Sequence, residues 1–219
     1  MILIIYCHPS KHSRHCSKIL KHVTETLEEA QQTYHVLDLY RQDFNGHLTA
    51  AEYERMVSGE RVTDPDVKEA QGKISAASAL IFIYPTWWYG MPGRLKGFVD
   101  RVFTTGFAYR FRKTHHWQEF AAWLLSFIPG IRYFLQPYSA LGLLKKKKTL
   151  IFRTFGGPKF GKRIFGNTTA ELEEGVLRFC GITDITVHEY FNVNNKERRS
   201  QEAEDKYMAK VEKLCRDLS

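Results

Sequence analysis

Apolar residues along this chain come in two textures, short unbroken runs and longer stretches at helical spacing. Ile2 to Tyr6 is an unbroken run, as in a parallel strand covered on both faces. Ile19, Leu20, Val23 and Leu27 then repeat at helical period. Tyr34 to Tyr40 reads as a second strand. Thr49 with Glu52 predicts a capping box at the start of a short helix, and Asp64-Pro65 opens another with Val67, Ala70 and Ile74 on one face. Leu80 to Tyr84 is the third strand, ended by Pro85 and followed by a helix carrying Leu95, Phe98, Val99 and Val102. Thr149 to Arg153 is the fourth strand. Thr168 with Glu171 predicts the cap of the next helix, which Gly181 ends. Ile182 to Phe191 is the fifth strand, and Ala203, Tyr207, Val211, Leu214 and Leu218 share one face of a last helix.

Strands alternating with helices predict an α/β fold with a doubly wound parallel sheet, because each parallel crossover needs a connecting helix. Five strands fit the flavodoxin-like order 2-1-3-4-5, and the G-x-G-x-x-G fingerprint of a Rossmann dinucleotide domain is missing after the first strand. The 219 residues suit a single domain over 1–219 with an insertion at about 110–148.

Composition narrows the setting. The four cysteines have neither close pairing nor metal-ligand spacing, which fits reduced thiols in a cytoplasmic protein. MILIIYC lacks a basic leader, and its apolar run is too short for a signal peptide or a membrane span. The formal charge of +8 is compatible with nucleic acid, membrane surfaces or phosphorylated anions. Lys145 to Lys148 is the only sustained basic run, and no nucleic-acid motif accompanies it, so no nucleic-acid partner is expected.

In the 2-1-3-4-5 order, ligands bind outside the carboxyl ends of the strands, where the order reverses between the first and third. Three loops should converge there. The first sets His8, Ser10, Ser13, Arg14 and His15 at the mouth of a helix, whose free N–H groups and positive dipole end suit a phosphate. Ser13 can also cap that helix. The second takes Thr86, Trp87, Trp88 and Tyr89 from a core strand to the sheet rim, a platform for a planar aromatic ligand. The third, Thr154-Phe155-Gly156-Gly157, lets the backbone approach a ring closely. No metal site is expected, since the adjacent His115 and His116 share no helix face and have no supporting ligands.

Together these residues resemble the flavodoxin-like NAD(P)H:quinone reductase family, which includes mammalian quinone reductases and bacterial drug-modulator and potassium-efflux ancillary reductases. The likeness is densest from Tyr84 to Tyr109. There the family pattern of F-P, a tryptophan-rich loop, G-x-P-x-x-L-K-G and D/E-R-V-F-x-x-G-F-A-Y is nearly complete. It fails from Arg112 to Lys148. The resemblance implies an NAD(P)H dehydrogenase (quinone)-type oxidoreductase carrying FAD, or alternatively FMN. Hydride would pass from NAD(P)H to flavin N5 and then to a quinone or similar acceptor, by a ping-pong mechanism.

The same resemblance implies roles for residues. Pro85, Thr86, Trp88 and Tyr89, with Trp87 beside them, would line the isoalloxazine. Thr154, Phe155, Gly156 and Gly157 would meet its other edge, and His8, Ser13, Arg14 and His15 would hold the flavin phosphates. Tyr109 and Phe111 match positions that reach over the partner subunit's flavin in a homodimer. Arg14 and His15 replace the phenylalanine and asparagine of many relatives, which leaves both flavins open. Lys162 and Thr168 stand where relatives have a tyrosine and a histidine near the flavin's N1 and O2, and Lys159 or Lys162 is a candidate cation for the reduced ring. A flavin-bound regulatory subunit of a membrane transporter is the alternative reading.

The seam of the homodimer is expected along Leu95 to Phe107, too apolar for a solvated helix. The insertion holds Trp117, Phe120, Trp123, Leu124, Leu125, Phe127, Ile128, Ile131, Tyr133, Phe134 and Leu135, with Pro129-Gly130 dividing it into two short helices. It would pack on the dimer seam or roof the pocket. The other reading is an interfacial anchor, with Arg110, Arg112, Lys113 and the lysines 145–148 meeting anionic lipid.

Overall fold

Side-chain alternation along the central strands sets the architecture. In the computed structural model, which describes residues 1–10, 12–60, 62–128, 140–165, 170–195 and 200–218, Leu3, Ile5 and Cys7 face one layer while Ile2, Ile4 and Tyr6 face the other. The chain runs β1 (Ile2–Tyr6), α1 (Cys16–Glu29), β2 (Tyr34–Asp38), α2 (Ala50–Ser58), α3 (Pro65–Ala76), β3 (Ala79–Thr86) and α4 (Gly93–Val102). It continues through β4 (Tyr109–Phe111), α5 (His116–Leu125), β5 (Ala140–Gly142), β6 (Lys148–Phe155) and α6 (Gly161–Phe165). A π-helical segment (Glu171–Leu177), β7 (Ile185–Tyr190) and α7 (Gln201–Arg216) complete it.

The main sheet is parallel throughout, in the order β2-β1-β3-β6-β7. This is the expected 2-1-3-4-5, with β6 and β7 as the fourth and fifth strands. α1 and α7 cover one face through Ile19, Val23, Leu27, Tyr207 and Val211. α3, α4 and the π-helical segment cover the other through Val67, Ile74, Leu95, Phe98 and Leu172.

Several boundaries move. β2 stops at Asp38, whose carboxylate accepts from the Tyr40 and Arg41 N–H groups and turns the chain. β7 begins at Ile185, because Gly181 at φ +93° first turns the chain out of the preceding helix. β3 does not end at Pro85 but runs through it to Thr86. The Ile83 carbonyl accepts from Cys7 N–H on the β1 side. Two residues on, Pro85 faces that same side, where β1 has already ended, so its missing N–H costs no ladder bond. Thr49 and Glu52 form the expected capping box, whereas the Thr168 cap lies outside the described residues.

The neck of the insertion is a feature the sequence pattern did not reveal. β4 and β5 pair antiparallel, Tyr109 opposite Gly142 and Phe111 opposite Ala140. The ladder lies against the turn after the π-helical segment: a Cβ on Gly142 would fall 2.2 Å from Gly181 N. Pro129-Gly130 and the apolar residues from Ile131 to Leu135 lie outside the described residues.

The apolar residues of α4 fill this chain's own core. Leu95, Phe98 and Val102 are fully buried, and the helix stops at Val102 rather than Phe107, so its composition does not call for a dimer seam. The last glycine of G-x-P-x-x-L-K-G also serves packing, since a Cβ on Gly97 would lie 1.9 Å from Gly46 O.

Arg101 ties the helices of that layer together. Its guanidinium, 5% exposed, binds Glu52 of α2 at 2.6 Å, Asp66 of α3 at 2.5 Å and Asn45 O at 2.6 Å. Burial opposes the charge on both partners. The hydrogen bonds to Arg101 and Thr49 outweigh it for Glu52 and hold that carboxyl below the usual range. Arg101→Leu strands the Glu52 carboxylate and should cost about 3–5 kcal/mol in urea denaturation, whereas the Arg101→Leu, Glu52→Leu double variant should recover most of it.

Burial depresses the pKa of three histidines, His8, His35 and His188, below the ordinary 6.5. His188 stacks on Tyr207 at 4.1 Å and 9°. The unfolded chain therefore takes up protons that the folded chain refuses. This stabilisation is complete above the unfolded value and is lost as the pH falls through about 6.5. Tm should drop between about pH 7 and about pH 5.5, and His188→Gln should flatten that slope in thermal melts.

Candidate functional site

β1 ends at Tyr6, opposite Ile83, but β3 and β6 stay paired through Thr86 and Phe155. Three residues of β3 thus project past β1 at the carboxyl edge of the sheet, where the strand order reverses. Beyond them the chain folds back at once. Trp87 and Gly90 exchange backbone hydrogen bonds of 3.2 and 2.9 Å across Trp88 and Tyr89. Both central residues have positive φ, +51° and +60°, the requirement of a type I′ turn usually met by Asn-Gly. A left-handed conformation costs a non-glycine residue about 1–2 kcal/mol. The turn holds two large aromatics in it and presents Trp88 98% exposed.

A groove of about 430 Å³ opens under this turn, with Thr86, Trp88 and Tyr89 on one wall and Phe155, Gly157 and Lys162 on the other. Two observations show that the groove has a polar group and room to offer a ligand. The Thr86 hydroxyl is buried at the groove and has no hydrogen-bond partner among the described residues, an expensive arrangement unless a ligand or water supplies one. A Cβ on Gly157 would meet nothing within 4 Å, so glycine there keeps the groove clear. Gly156 differs: its Cβ would strike Asn194 Nδ2 at 2.6 Å, so this glycine lets the chain pass Asn194.

A buried charge cluster lies beside the groove. Arg153, 2% exposed, reaches Glu173 at 2.9 Å and Glu189 at 2.7 Å. Lys162 shares Glu189 at 2.8 Å and lies 5.9 Å from the Phe155 ring centroid. Burial pushes the Glu189 carboxyl up, but hydrogen bonds from Lys162 and Arg153 outweigh it and hold the carboxyl below its ordinary range. Burial also pushes the Tyr84 hydroxyl up to about 12 despite the neighbouring Arg153. Of the two candidate lysines, Lys162 lines the groove while Lys159 stands exposed outside it. Thr168 lies outside the described residues.

The His8 loop, expected at the same site, does not line this groove and stands beside its turn. His8 is half-buried, bound to Ser10 and 6.4 Å from the Trp87 ring. Ser13 Oγ accepts from Cys16 N–H and so caps α1. The helix has no acid in its first turn, which leaves its positive end open to an anion. Arg14 is exposed nearby, whereas His15 is buried against the Tyr190 ring. Thr154 is buried too and meets Cys16 Sγ at 3.7 Å, joining this loop to β6.

The expected site residues therefore separate into groups. Thr86, Trp88, Tyr89, Phe155, Gly156 and Gly157 are brought together at the groove, and Pro85 stands behind it in β3. Trp87 fixes the turn. Tyr109 and Phe111 are not part of this groove: Tyr109 packs on Phe179 at 4.9 Å and Phe111 is 66% exposed. Sequence reasoning missed the Arg153–Glu173–Glu189 cluster. Its signal was an arginine and a glutamate at strand positions otherwise occupied by core residues. No cluster of three potential metal ligands occurs among the described residues.

The profile of the flavodoxin-like fold family matches residues 1–214. An NAD(P)H oxidoreductase of Haemophilus influenzae, named as uncharacterized, is 27% identical over 186 residues, 84% of this chain and 79% of that one. The ribosyldihydronicotinamide dehydrogenase (quinone) of Mus musculus is 28% identical over 221 residues, 90% of this chain and 85% of that one. The solved structure of an NAD(P)H:quinone oxidoreductase from Methanothermobacter marburgensis matches with a TM-score of 0.76 at 26% identity, covering 99% of this chain and 96% of that one. With the sheet order, the groove and the Tyr84 to Tyr109 pattern, these matches establish that the chain belongs to the flavodoxin-like NAD(P)H:quinone reductase family.

Proposed function

We propose that the groove under the Trp88 turn holds the isoalloxazine of a flavin nucleotide and that the protein reduces a quinone-class acceptor with NAD(P)H. The buried, unpartnered Thr86 hydroxyl carries this reading. When bound, the flavin supplies two-electron transfer from NAD(P)H to the acceptor in two half-reactions on one site. The chain's residues position and tune it. Thr86 offers its hydroxyl to a ring heteroatom. Trp88 and Tyr89 furnish aromatic surface on one side, and Gly157 leaves room on the other. Lys162, held by Glu189, keeps a positive charge at the groove where negative charge accumulates on reduction. The open amino end of α1, with Ser13, Arg14 and His8, is the place for a phosphate. We propose FAD, with FMN as the alternative: FMN needs only that much, and FAD needs in addition a second phosphate and an adenosine pocket.

Gly157→Val tests the placement. A side chain there meets no protein atom within 4 Å, so the fold should survive while the ring loses its space. Overpacking costs about 1–3 kcal/mol, so flavin affinity by fluorescence titration should fall roughly ten- to hundredfold. Unchanged affinity with an unchanged thermal melt would move the ring elsewhere.

Phe111 carries a second proposal, a homodimer with shared sites. It is 66% exposed on a short ladder away from its own groove, as a residue serving another copy should be. Phe111→Ala should leave flavin content unchanged and raise the acceptor KM about fivefold, the ~1 kcal/mol of an aromatic contact. Heterodimers of Phe111→Ala with Gly157→Val should regain one wild-type site of two. Full activity from a monomer in light scattering would rule out sharing.

A further inference from the structure

Outside the groove, the helix α5 (His116–Leu125) has no buried residue. Trp117, Phe120, Trp123 and Phe127 follow one another at three- and four-residue spacing along one side, 57–69% exposed. Phe120 stacks on Trp123 at 5.8 Å, and Trp123 meets Phe127 edge-on at 5.2 Å. No helix among the described residues, α5 included, is long and apolar enough to cross a membrane.

Charge separates the two occupants such a face can take. Between Asp100 and Glu171 the sequence holds 13 lysines and arginines and a single acid, Glu119. Many of those cations are already engaged: Arg101, Arg153 and Lys162 by carboxylates, Lys147 by Ala77 O and Lys148 by Asp217 O. Arg110, Arg112 and Lys113, which lead directly into α5, are exposed. A second copy packed face to face on this helix would bring a second set of the same cations to the seam, and this segment of each copy holds only Glu119 to oppose them. An anionic lipid surface supplies the opposite charge and takes exposed tryptophan and phenylalanine at its headgroup boundary.

We propose that α5 docks this protein on an anionic membrane surface, its aromatic face in the headgroup region and Arg110, Arg112 and Lys113 against lipid phosphates. Lys145 and Lys146, exposed beyond the far end of the β4–β5 ladder, add to the long-range attraction. Lys147 and Lys148 are less free to reach lipid, because each ammonium group already donates to a backbone carbonyl, Ala77 O and Asp217 O.

Co-sedimentation of the full-length holoprotein with vesicles tests this independently of the flavin site, because neither the groove nor turnover enters the readout. With equimolar phosphatidylglycerol and phosphatidylcholine at low salt, the protein should pellet. Pure phosphatidylcholine should bind it at least tenfold more weakly, and salt well above the physiological level should release most of it, as screening of surface charge requires. Trp117→Ser, Trp123→Ser, Phe127→Ser and, separately, Arg110→Glu, Arg112→Glu, Lys113→Glu should each reduce binding at least tenfold with unchanged far-ultraviolet circular dichroism. The wild-type tryptophan emission should shift to the blue on adding anionic vesicles. Three results would overturn the proposal. Wild-type protein could remain in the supernatant with anionic vesicles at every salt concentration. Both variants could pellet as well as wild type. The serine variant could instead convert a dimer to a monomer in light scattering without changing lipid binding, assigning the face to a second copy.

Discussion

The unequal length of the parallel strands is the constraint on which the site depends. β1 leaves the sheet after Tyr6, while β3 and β6 remain paired to Thr86 and Phe155. That overhang carries the paired ends of β3 and β6 past β1, where Thr86 and Phe155 reach the groove. Pro85 is tolerated in it because the β1 side needs no donor there. Thr86 reaches the rim with its hydroxyl buried and unpartnered, and the turn of Trp88 and Tyr89 closes over the resulting groove.

Electrostatics complete what the strand ends begin. Arg153 is a charge inside the core, and Glu173 and Glu189 make it tolerable. Glu189 in turn fixes Lys162, so a cation at the groove is anchored from below. The arrangement has two cations and two carboxylates, and removing any one leaves a buried charge uncompensated. The cluster is balanced in charge, and Glu189 fixes where the Lys162 ammonium stands at the groove. On the other layer, Arg101 uses the same device for structure alone, joining α2, α3 and α4 through Glu52 and Asp66.

Much of this was legible in the sequence. Unbroken apolar runs located β1 and β3, and helical spacing located α1, α3, α4 and α7, because burial on both sheet faces imposes those patterns directly. The Trp88 and Gly157 loops were readable because strand ends at a reversal of order are ligand sites in such folds. Other features depend on contacts remote in sequence. The type I′ turn was hidden because Trp-Tyr has none of the Asn-Gly chemistry that usually marks it. The β4–β5 ladder joins segments about 30 residues apart through strands of three residues, too short to show a period. The role of Gly156 depends on Asn194, and the apolar face of α4 resembled a seam only until its own core was seen to fill it. Family resemblance supplied what geometry alone could not: the flavin and its nicotinamide reductant.

An anaerobic titration of the purified protein tests the central claim most directly. Incubated with flavin and freed of excess, the protein should show the visible flavin bands. One equivalent of NADH or NADPH per site should bleach them, and one equivalent of a soluble quinone should restore them. A protein that retains no flavin, or whose flavin stays oxidised with both nicotinamides, would contradict the account.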